Sequence, residues 1–245
     1  VEAGIRSGDW SMPEEINRML TDAITNWFFT TSDIANNNLR NSGVSEDRIF
    51  FVGNTMIDTL VSNMPYFEKP DFFDELFLKR GEYFVTTLHR PANVDIGNAF
   101  ALLLTAISEA SRGYPVIFPV HPRTAKTLQE LGQVADNIYL VDPQPYLQFN
   151  YLVKNAKAVI TDSGGVTEET TVMGVPCLTL RDNTERPETI SVGTNELIGT
   201  DPAAIKPAFD QLFAGKWKKG GIPEKWDGKT GKRIVAELER LLCSN

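Results

Sequence analysis

The sequence contains few of the residues on which several classes of protein depend. It has two cysteines, Cys177 and Cys243, and neither lies in a CxxC pair, which excludes a disulfide scaffold. Its only histidines are His89 and His121, so a zinc site, with its three or four ligands, is not expected. No apolar run approaches the roughly 18 to 20 residues of a transmembrane helix. The 24 basic and 32 acidic residues give a formal charge of −8, whereas nucleic-acid-binding proteins are usually basic. We therefore expect a cytoplasmic α/β protein that binds neither nucleic acid nor a membrane.

Short apolar segments alternate with segments of helical periodicity. The short segments are rich in β-branched and aromatic residues, as is typical of strands that are buried on both faces. Their alternation with helices predicts a doubly wound parallel sheet. The predicted strands are 27–31, 49–52, 83–88, 116–120, 138–141, 158–161, 177–180 and 196–198, and the predicted helices are one that begins at Pro13 and those at 55–63, 98–111, 122–131, 145–155, 164–173, 202–214 and 231–242.

A proline-rich break divides the chain. Pro65 and Pro70 predict a linker at 65–70. The six strands that follow form a complete sheet, whereas residues 1–64 supply two or three strands, too few to bury both faces of a parallel sheet. We therefore expect a remnant of a first domain at 1–64, a second domain at 71–228 and a terminal helix at 229–245 that packs back toward the first domain. The turn-rich start, without Met, favours a fragment.

A glycine-containing turn follows the predicted strand at 158–161. Gly164 and Gly165 let an anion approach the backbone, and the Ser163 hydroxyl adds a donor at the start of a helix, where the helix dipole favours negative charge. Glu169 is placed to accept hydrogen bonds from sugar hydroxyls, as acidic residues do for ribose in nucleotide-binding folds. The alternative is a capped helix with a tight turn. Phosphate binding is the favoured interpretation.

Other polar residues follow neighbouring strands. His89 and His121 each come directly after a strand and near an arginine, which favours contact with an anion over zinc, although a lone loop histidine is more often structural. Arg186 offers a planar fork of donors to a diphosphate or ribose, or belongs to a charged surface loop. Gln144 and Phe149 offer an amide and a ring to a nucleobase, or form a helix start and part of the core.

Three glutamates lie near the amino end. Glu14 and Glu15 open a helix, where acidic side chains interact favourably with the helix dipole. The alternative for these two and for Glu2 is general acid–base catalysis. The residues alone predict a nucleotide-sugar or sugar-phosphate site between two α/β domains.

Five strings in order along the chain carry a family resemblance. They are VEAGIRSG (1–8), MPEEINR (12–18), VGNTMID (52–58), TDSGGVTEE (161–169) and RDNTERPE (181–188). Together they resemble the UDP-N-acetylglucosamine 2-epimerases of the non-hydrolysing type. The resemblance implies a GT-B-like α/β fold of two Rossmann-like doubly wound domains. The chain is similar to about the last two thirds of a family member, so we expect the first domain to be incomplete.

The resemblance also implies a chemistry. Non-hydrolysing members interconvert UDP-N-acetylglucosamine and UDP-N-acetylmannosamine. The C2 proton leaves while UDP departs from C1, giving a 2-acetamidoglucal, and UDP re-adds after a proton returns on the other face. No cofactor or metal is implied. The expected setting is cytoplasmic synthesis of surface-polysaccharide precursors by a homodimer.

Individual roles follow from the resemblance, residue by residue. Many bacterial members have other residues where this chain has 91–93 and 122–124, next to the positions that match an effector site. The alternatives are a hydrolysing relative that releases free N-acetylmannosamine and UDP, and a nucleotide-binding fragment without turnover. The implied residues are Glu2, Glu14 and His89 in catalysis; Gln144 and Phe149 at uracil; Ser163, Gly164 and Gly165 at phosphate; Glu169 at ribose; Arg186 as a further UDP contact; and Arg90 and His121 at a second, activating UDP-N-acetylglucosamine.

Overall fold

The structure is a computed structural model that describes residues 1–90, 93, 99–132 and 134–243. Eight strands are described: β1 (Phe28–Thr30), β2 (Ile49–Phe51), β3 (Phe84–Thr87), β4 (Val116–Pro119), β5 (Ile138–Val141), β6 (Ala158–Thr161), β7 (Cys177–Thr179) and β8 (Asn195–Leu197). The α-helices described are α1 (Pro13–Ile24), α2 (Asp33–Asn41), α3 (Thr55–Asn63), α4 (Phe72–Glu75), α5 (Ala99–Ala110), α6 (Pro122–Leu131), α7 (Tyr146–Asn155), α8 (Gly164–Met173), α9 (Glu188–Ser191), α10 (Ile205–Phe213) and α11 (Thr230–Cys243).

Every predicted strand is present within one or two residues of its expected bounds, and the predicted α/β class is confirmed. The predicted helix at 98–111 corresponds to α5, and its first residue, Asn98, lies outside the described residues, as do Pro91 and Ala92. Helix α2 was not predicted. Its sequence DIANNNLRN is polar and asparagine-rich, and asparagine has a low helix propensity. The Ser32 hydroxyl accepts a hydrogen bond from Ala35 N and caps the helix.

The chain forms two compact units. Unit 1 comprises Val1–Pro65, Thr184–Val192 and Ile222–Asn245, and unit 2 comprises Tyr66–Asn183 and Gly193–Gly221. The chain therefore returns twice to unit 1 within the range 71–228, which the sequence assigns to a single second domain.

Unit 1 is built around a small parallel sheet. Strands β1 and β2 pair in parallel, and Ala3 forms a bridge with Thr30. Side chains of the returning segments donate hydrogen bonds to backbone carbonyls next to this sheet. The buried Trp226 donates from its indole N–H to the Thr31 carbonyl at 3.0 Å, and Arg233 donates to the Val52 carbonyl at 3.1 Å. Helix α11 packs against α3 in the same unit.

Unit 2 contains a six-stranded parallel sheet in the order β5-β4-β3-β6-β7-β8. Alternate strand residues fall into separate buried clusters: Phe84 and Ile160 belong to one cluster, and Val85 and Val159 to the other. Helices therefore cover both faces of the sheet, as the apolar strands predict. The strand order reverses between β3 and β6, which makes the carboxyl ends of these two strands the topological switch point.

No helix among the described residues is both long enough and apolar enough to cross a membrane.

Candidate functional site

A cavity of about 380 Å³ opens at the switch point of unit 2. Its walls are formed by the segments that follow the carboxyl ends of β3, β4, β5 and β6. Ligands of open α/β sheets bind at this edge. Five residues predicted from the sequence are therefore brought together here, namely both histidines and three side chains from the later segments. The lining residues are Thr87, Leu88, His89, Pro119, His121, Pro143, Gln144, Phe149, Ser163 and Val166.

Asp162 is the residue at this edge that sequence reasoning missed. Its side chain is fully buried directly after β6, and its carboxylate lies 2.8 Å from Nδ1 of His89. It also accepts hydrogen bonds from His89 N at 3.0 Å, Arg90 N at 2.9 Å and Asn93 Nδ2 at 3.0 Å. Burial alone would raise the pKa of Asp162, but the hydrogen bonds from His89, Asn93 and Arg90 hold it below its usual value. The sequence does contain a signal for this contact, because Asp162 directly follows a predicted strand at the same sheet edge as His89.

Threonine side chains stabilise the glycine turn. Thr161 Oγ1 accepts a hydrogen bond from Ser163 N at 3.0 Å and lies 2.6 Å from Thr87 Oγ1. A Cβ at Gly164 would meet only one described atom within 4 Å, Nη1 of Arg181 at 3.9 Å. The fold therefore does not need glycine at this position. The turn opens α8, whose first N–H groups attract an anion.

Two side chains at the mouth of this cavity come from the segment that follows β5. Gln144 donates from Nε2 to the Asp142 carbonyl at 2.8 Å, and Phe149 is partly buried against the core. Both line the cavity, so an amide and a ring face the space beside Ser163. Their contact with uracil stays a prediction.

Glu169 lies one helical turn beyond the glycine pair and is not among the lining residues. It is 5% exposed, and Asn150 Nδ2 lies 3.5 Å from its Oε1. Burial raises the pKa of Glu169, and hydrogen bonds from Tyr146 and Asn150 offset this rise only in part. Its predicted role at ribose stays a prediction.

Glu2 of unit 1 is held by two side chains, Arg186 and Thr55. Arg186 Nη2 donates to Glu2 Oε2 at 3.1 Å and Nη1 donates to Thr31 Oγ1 at 2.9 Å, while Thr55 Oγ1 donates to Glu2 Oε1 at 3.0 Å. The Arg186 side chain is 9% exposed. Glu2 has a φ of +57°, a strained conformation of the kind that concentrates at functional sites. Arg186, predicted from the sequence to contact UDP, is thus engaged with a predicted catalytic carboxylate, and the interpretation of a charged surface loop is wrong for its buried guanidinium.

The adjacent carboxylates at the start of α1 have different surroundings. Glu14 is exposed, whereas Glu15 is 2% exposed and accepts hydrogen bonds from Ser7 N at 2.9 Å and Gly8 N at 3.1 Å. Arg18 lies 3.2 Å from the same Glu15 carboxylate. Burial alone would raise the pKa of Glu15, but these hydrogen bonds lower it. Glu15 therefore binds the loop at residues 7–8 rather than capping its own helix.

Glu188 is a second buried acid in unit 1 that sequence reasoning missed. It is 5% exposed, and within the described residues neither of its side-chain oxygens makes a hydrogen bond of standard geometry. Burial raises the pKa of Glu188, and its own backbone N–H, the Arg186 charge and the nearby Ser32 hydroxyl offset this rise only in part.

Within the described ranges, no group of three or more His, Cys, Asp or Glu side chains is arranged to hold a metal ion.

The predicted site residues divide between the units. Unit 1 contains Glu2, Glu14 and Arg186, and unit 2 contains His89, Arg90, His121, Gln144, Phe149, Ser163, Gly164, Gly165 and Glu169.

Known proteins resemble this chain over nearly its whole length. The sequence profile of the UDP-N-acetylglucosamine 2-epimerase family matches residues 1–239. The UDP-N-acetylglucosamine 2-epimerase of Methanocaldococcus jannaschii is 43% identical over 97% of this chain and 67% of its own length. The crystal structure of the enzyme from that organism in complex with UDP-GlcNAc and UDP aligns with a TM-score of 0.86 at 41% identity, covering 98% of this chain and 68% of that one.

A bacterial structure gives the same result. The UDP-GlcNAc 2-epimerase from Neisseria meningitidis bound to UDP-GlcNAc aligns with a TM-score of 0.85 at 30% identity, over 98% of this chain and 69% of that one. The chain thus spans about two thirds of the length of the relatives that it matches. From the profile match and these identities, we conclude that the chain belongs to the UDP-N-acetylglucosamine 2-epimerase family.

Proposed function

We propose that this chain interconverts UDP-N-acetylglucosamine and UDP-N-acetylmannosamine by the non-hydrolysing route. The observation that carries the proposal is the cavity at the β3/β6 switch point, which gathers His89, Gln144, Phe149 and Ser163 in a chain of this family. An aromatic ring, an amide and a helix N-terminus suit the base and the phosphates of a nucleotide.

Unit 2 holds the UDP in this proposal. The N–H groups at the start of α8, together with Ser163, bind the diphosphate, and Gln144 and Phe149 contact uracil. Glu169 binds ribose. As the C1–O bond breaks, negative charge grows on the departing diphosphate, and donors already in place stabilise it without reorganising. His89 supplies such a donor when its imidazole is protonated.

Unit 1 provides the proton chemistry at C2. Inversion requires removal of a proton from one face of the sugar and its return to the other, a task for two carboxyl groups. Glu2 and Glu14 take these roles. Thr55 and Arg186 fix both oxygens of Glu2, so that its carboxylate is held in one orientation. Arg186 also contacts UDP when the nucleotide is bound.

The test is incubation of the full-length protein with UDP-N-acetylglucosamine in deuterated water. We expect deuterium at C2 of both UDP-sugars and no accumulation of free sugar, measured by mass spectrometry and NMR. Free N-acetylmannosamine with UDP would identify a hydrolase instead. Recovery of substrate without deuterium would contradict both.

We also propose a cytoplasmic homodimer, as the family resemblance implies. A supporting feature is the apolar stripe on α1 formed by Ile16, Leu20 and Ile24, which are 42%, 63% and 86% exposed. Exposed apolar patches of this kind mark association surfaces. Analytical ultracentrifugation of the 245-residue chain should show a dimer, and replacement of Leu20 and Ile24 by serine should shift it toward the monomer. A monomer in both samples would contradict the proposal.

A further inference from the structure

The hydrogen bond between His89 and Asp162 determines which imidazole nitrogen carries a proton. Nδ1 of His89 lies 2.8 Å from a carboxylate oxygen of Asp162. An ionised carboxylate only accepts hydrogen bonds, so a contact this short requires a hydrogen on Nδ1. In the neutral ring, Nε2 is then the nitrogen with a lone pair.

Asp162 is itself held rigidly. Its side chain is fully buried, and three other donors bind its carboxylate: the backbone N–H groups of His89 and Arg90 and the side-chain amide of Asn93. The same amide donates to the Leu180 carbonyl at 3.2 Å. These contacts tie together the ends of β3, β6 and β7. The carboxylate therefore presents one fixed acceptor direction to the imidazole.

The opposite side of the ring faces a ligand space. The His89 side chain is 45% exposed and lines the cavity of unit 2 together with Ser163. Because Asp162 binds Nδ1 on the buried side of the ring, Nε2 lies on the exposed side.

We propose that Asp162 is a positioning residue for His89: it fixes the Nδ1–H tautomer and aims Nε2 at the bound nucleotide. The identity of that ligand rests on the proposed function, whereas the tautomer does not. A neutral Nε2 accepts a hydrogen bond from the ligand. Once protonated, Nε2 donates to a phosphate oxygen while the Asp162 carboxylate stabilises the imidazolium.

Replacement of Asp162 by asparagine tests the contact with little change in size. An amide has one acceptor oxygen where the carboxylate has two, and its NH₂ group would point at donors. The imidazole then loses its fixed acceptor. With full-length protein, kcat should fall about 100-fold while KM for UDP-N-acetylglucosamine changes by less than about threefold. Asp136→Asn, an exposed position in unit 2, makes the same charge change and should leave both values unchanged.

The direct measurement is ¹⁵N NMR of the protein labelled at histidine. The chain has only two histidines, so His121→Gln assigns both sets of signals. At a pH where the ring is neutral, the wild type should show His89 with Nδ1 protonated and Nε2 unprotonated, and Asp162→Asn should lose this preference. A proton on Nε2 in the wild type, or the same Nδ1–H tautomer in a folded Asp162→Asn protein, would overturn the proposal.

The two kinds of readout separate the proposals. The wild-type tautomer is informative even where Asp162→Asn does not fold. An Nδ1–H tautomer without deuterium at C2 would retain the positioning role and reject the proposed function. Deuterium at C2 together with a proton on Nε2 of His89 would retain the proposed function and reject the positioning role.

Discussion

Unit 2 and unit 1 hold their buried acids differently. In unit 2, Asp162 accepts four hydrogen bonds from groups at the ends of neighbouring strands. In unit 1, Glu188 is nearly as buried, yet neither of its oxygens makes a hydrogen bond of standard geometry among the described residues. A satisfied carboxylate rigidifies its surroundings, whereas an unsatisfied one is costly to ionise. The six-stranded sheet thus fixes the edge at which we propose that the nucleotide binds, while burial in unit 1 raises the pKa of Glu188.

The largest expected effect concerns the proposal that unit 1 carries the proton chemistry and unit 2 binds UDP. Glu2→Gln keeps the shape of the side chain and its neighbours Thr55 and Arg186 but removes one of the two carboxylates that we propose move the C2 proton. We expect the rate of C2 deuterium incorporation by full-length protein to fall about 10³-fold, while UDP affinity in calorimetry changes by less than about twofold. Glu46→Gln, at an exposed ion pair with Arg40, is the matched control. A rate close to the wild type would remove Glu2 from the chemistry.

The second prediction sharpens the role of the glycine turn. Gly164→Ala adds a Cβ into space that the fold leaves open, so the thermal midpoint should be unchanged or slightly higher. A phosphate at the turn would meet this methyl group, and UDP affinity should weaken about tenfold, about 1.4 kcal/mol. Gly113→Ala, at a helix end remote from the turn in sequence and at φ +80°, should instead lower stability without changing affinity. Unchanged UDP binding by Gly164→Ala would leave the turn with a structural role only.

The third prediction concerns the satisfied acid of unit 1. Glu15→Gln weakens the hydrogen bonds to Ser7 N and Gly8 N and should lower the free energy of unfolding by about 1 to 2 kcal/mol at pH 7. Because the folded state lowers the pKa of Glu15, its contribution is present above the unfolded pKa and is lost as pH falls through the folded pKa. Thermal melts of variant and wild type should therefore converge in acid. A constant difference across pH would contradict this.

The smallest effect has the opposite sign. Glu188→Gln removes a charge that burial disfavours and should raise stability by about 1 kcal/mol at pH 7. The folded state raises the pKa of Glu188, so the destabilisation is present above the folded pKa and vanishes as pH falls toward the unfolded value. The gain of the variant in thermal melts should shrink in acid. A loss of stability at pH 7 would show that Glu188 is paired as an anion.

The sheet could be predicted from the sequence, whereas the site's side-chain contacts could not. Runs such as 158–161 carry both the strand signal and the position of the following turn, because buried parallel strands are apolar throughout. The pairing of Asp162 with His89, 73 residues apart, and of Arg186 with Glu2, 184 residues apart, depends on tertiary structure that no local pattern encodes. Helix α2 was not predicted because asparagine has a low helix propensity. The helix is stabilised instead by tertiary contacts such as the hydrogen bond from Thr30 Oγ1 to Asn36 Oδ1.

The most direct test of the nucleotide site is calorimetric titration of the 245-residue chain with UDP, repeated with Gln144→Ala. Among the described residues, the Gln144 side chain donates a hydrogen bond to a loop carbonyl, that of Asp142, so its removal should leave the fold intact. We predict saturable binding by the wild type that weakens about tenfold in the variant. Equal affinity in both proteins, or no binding by either, would contradict the assignment of UDP to the carboxyl edge of the six-stranded sheet.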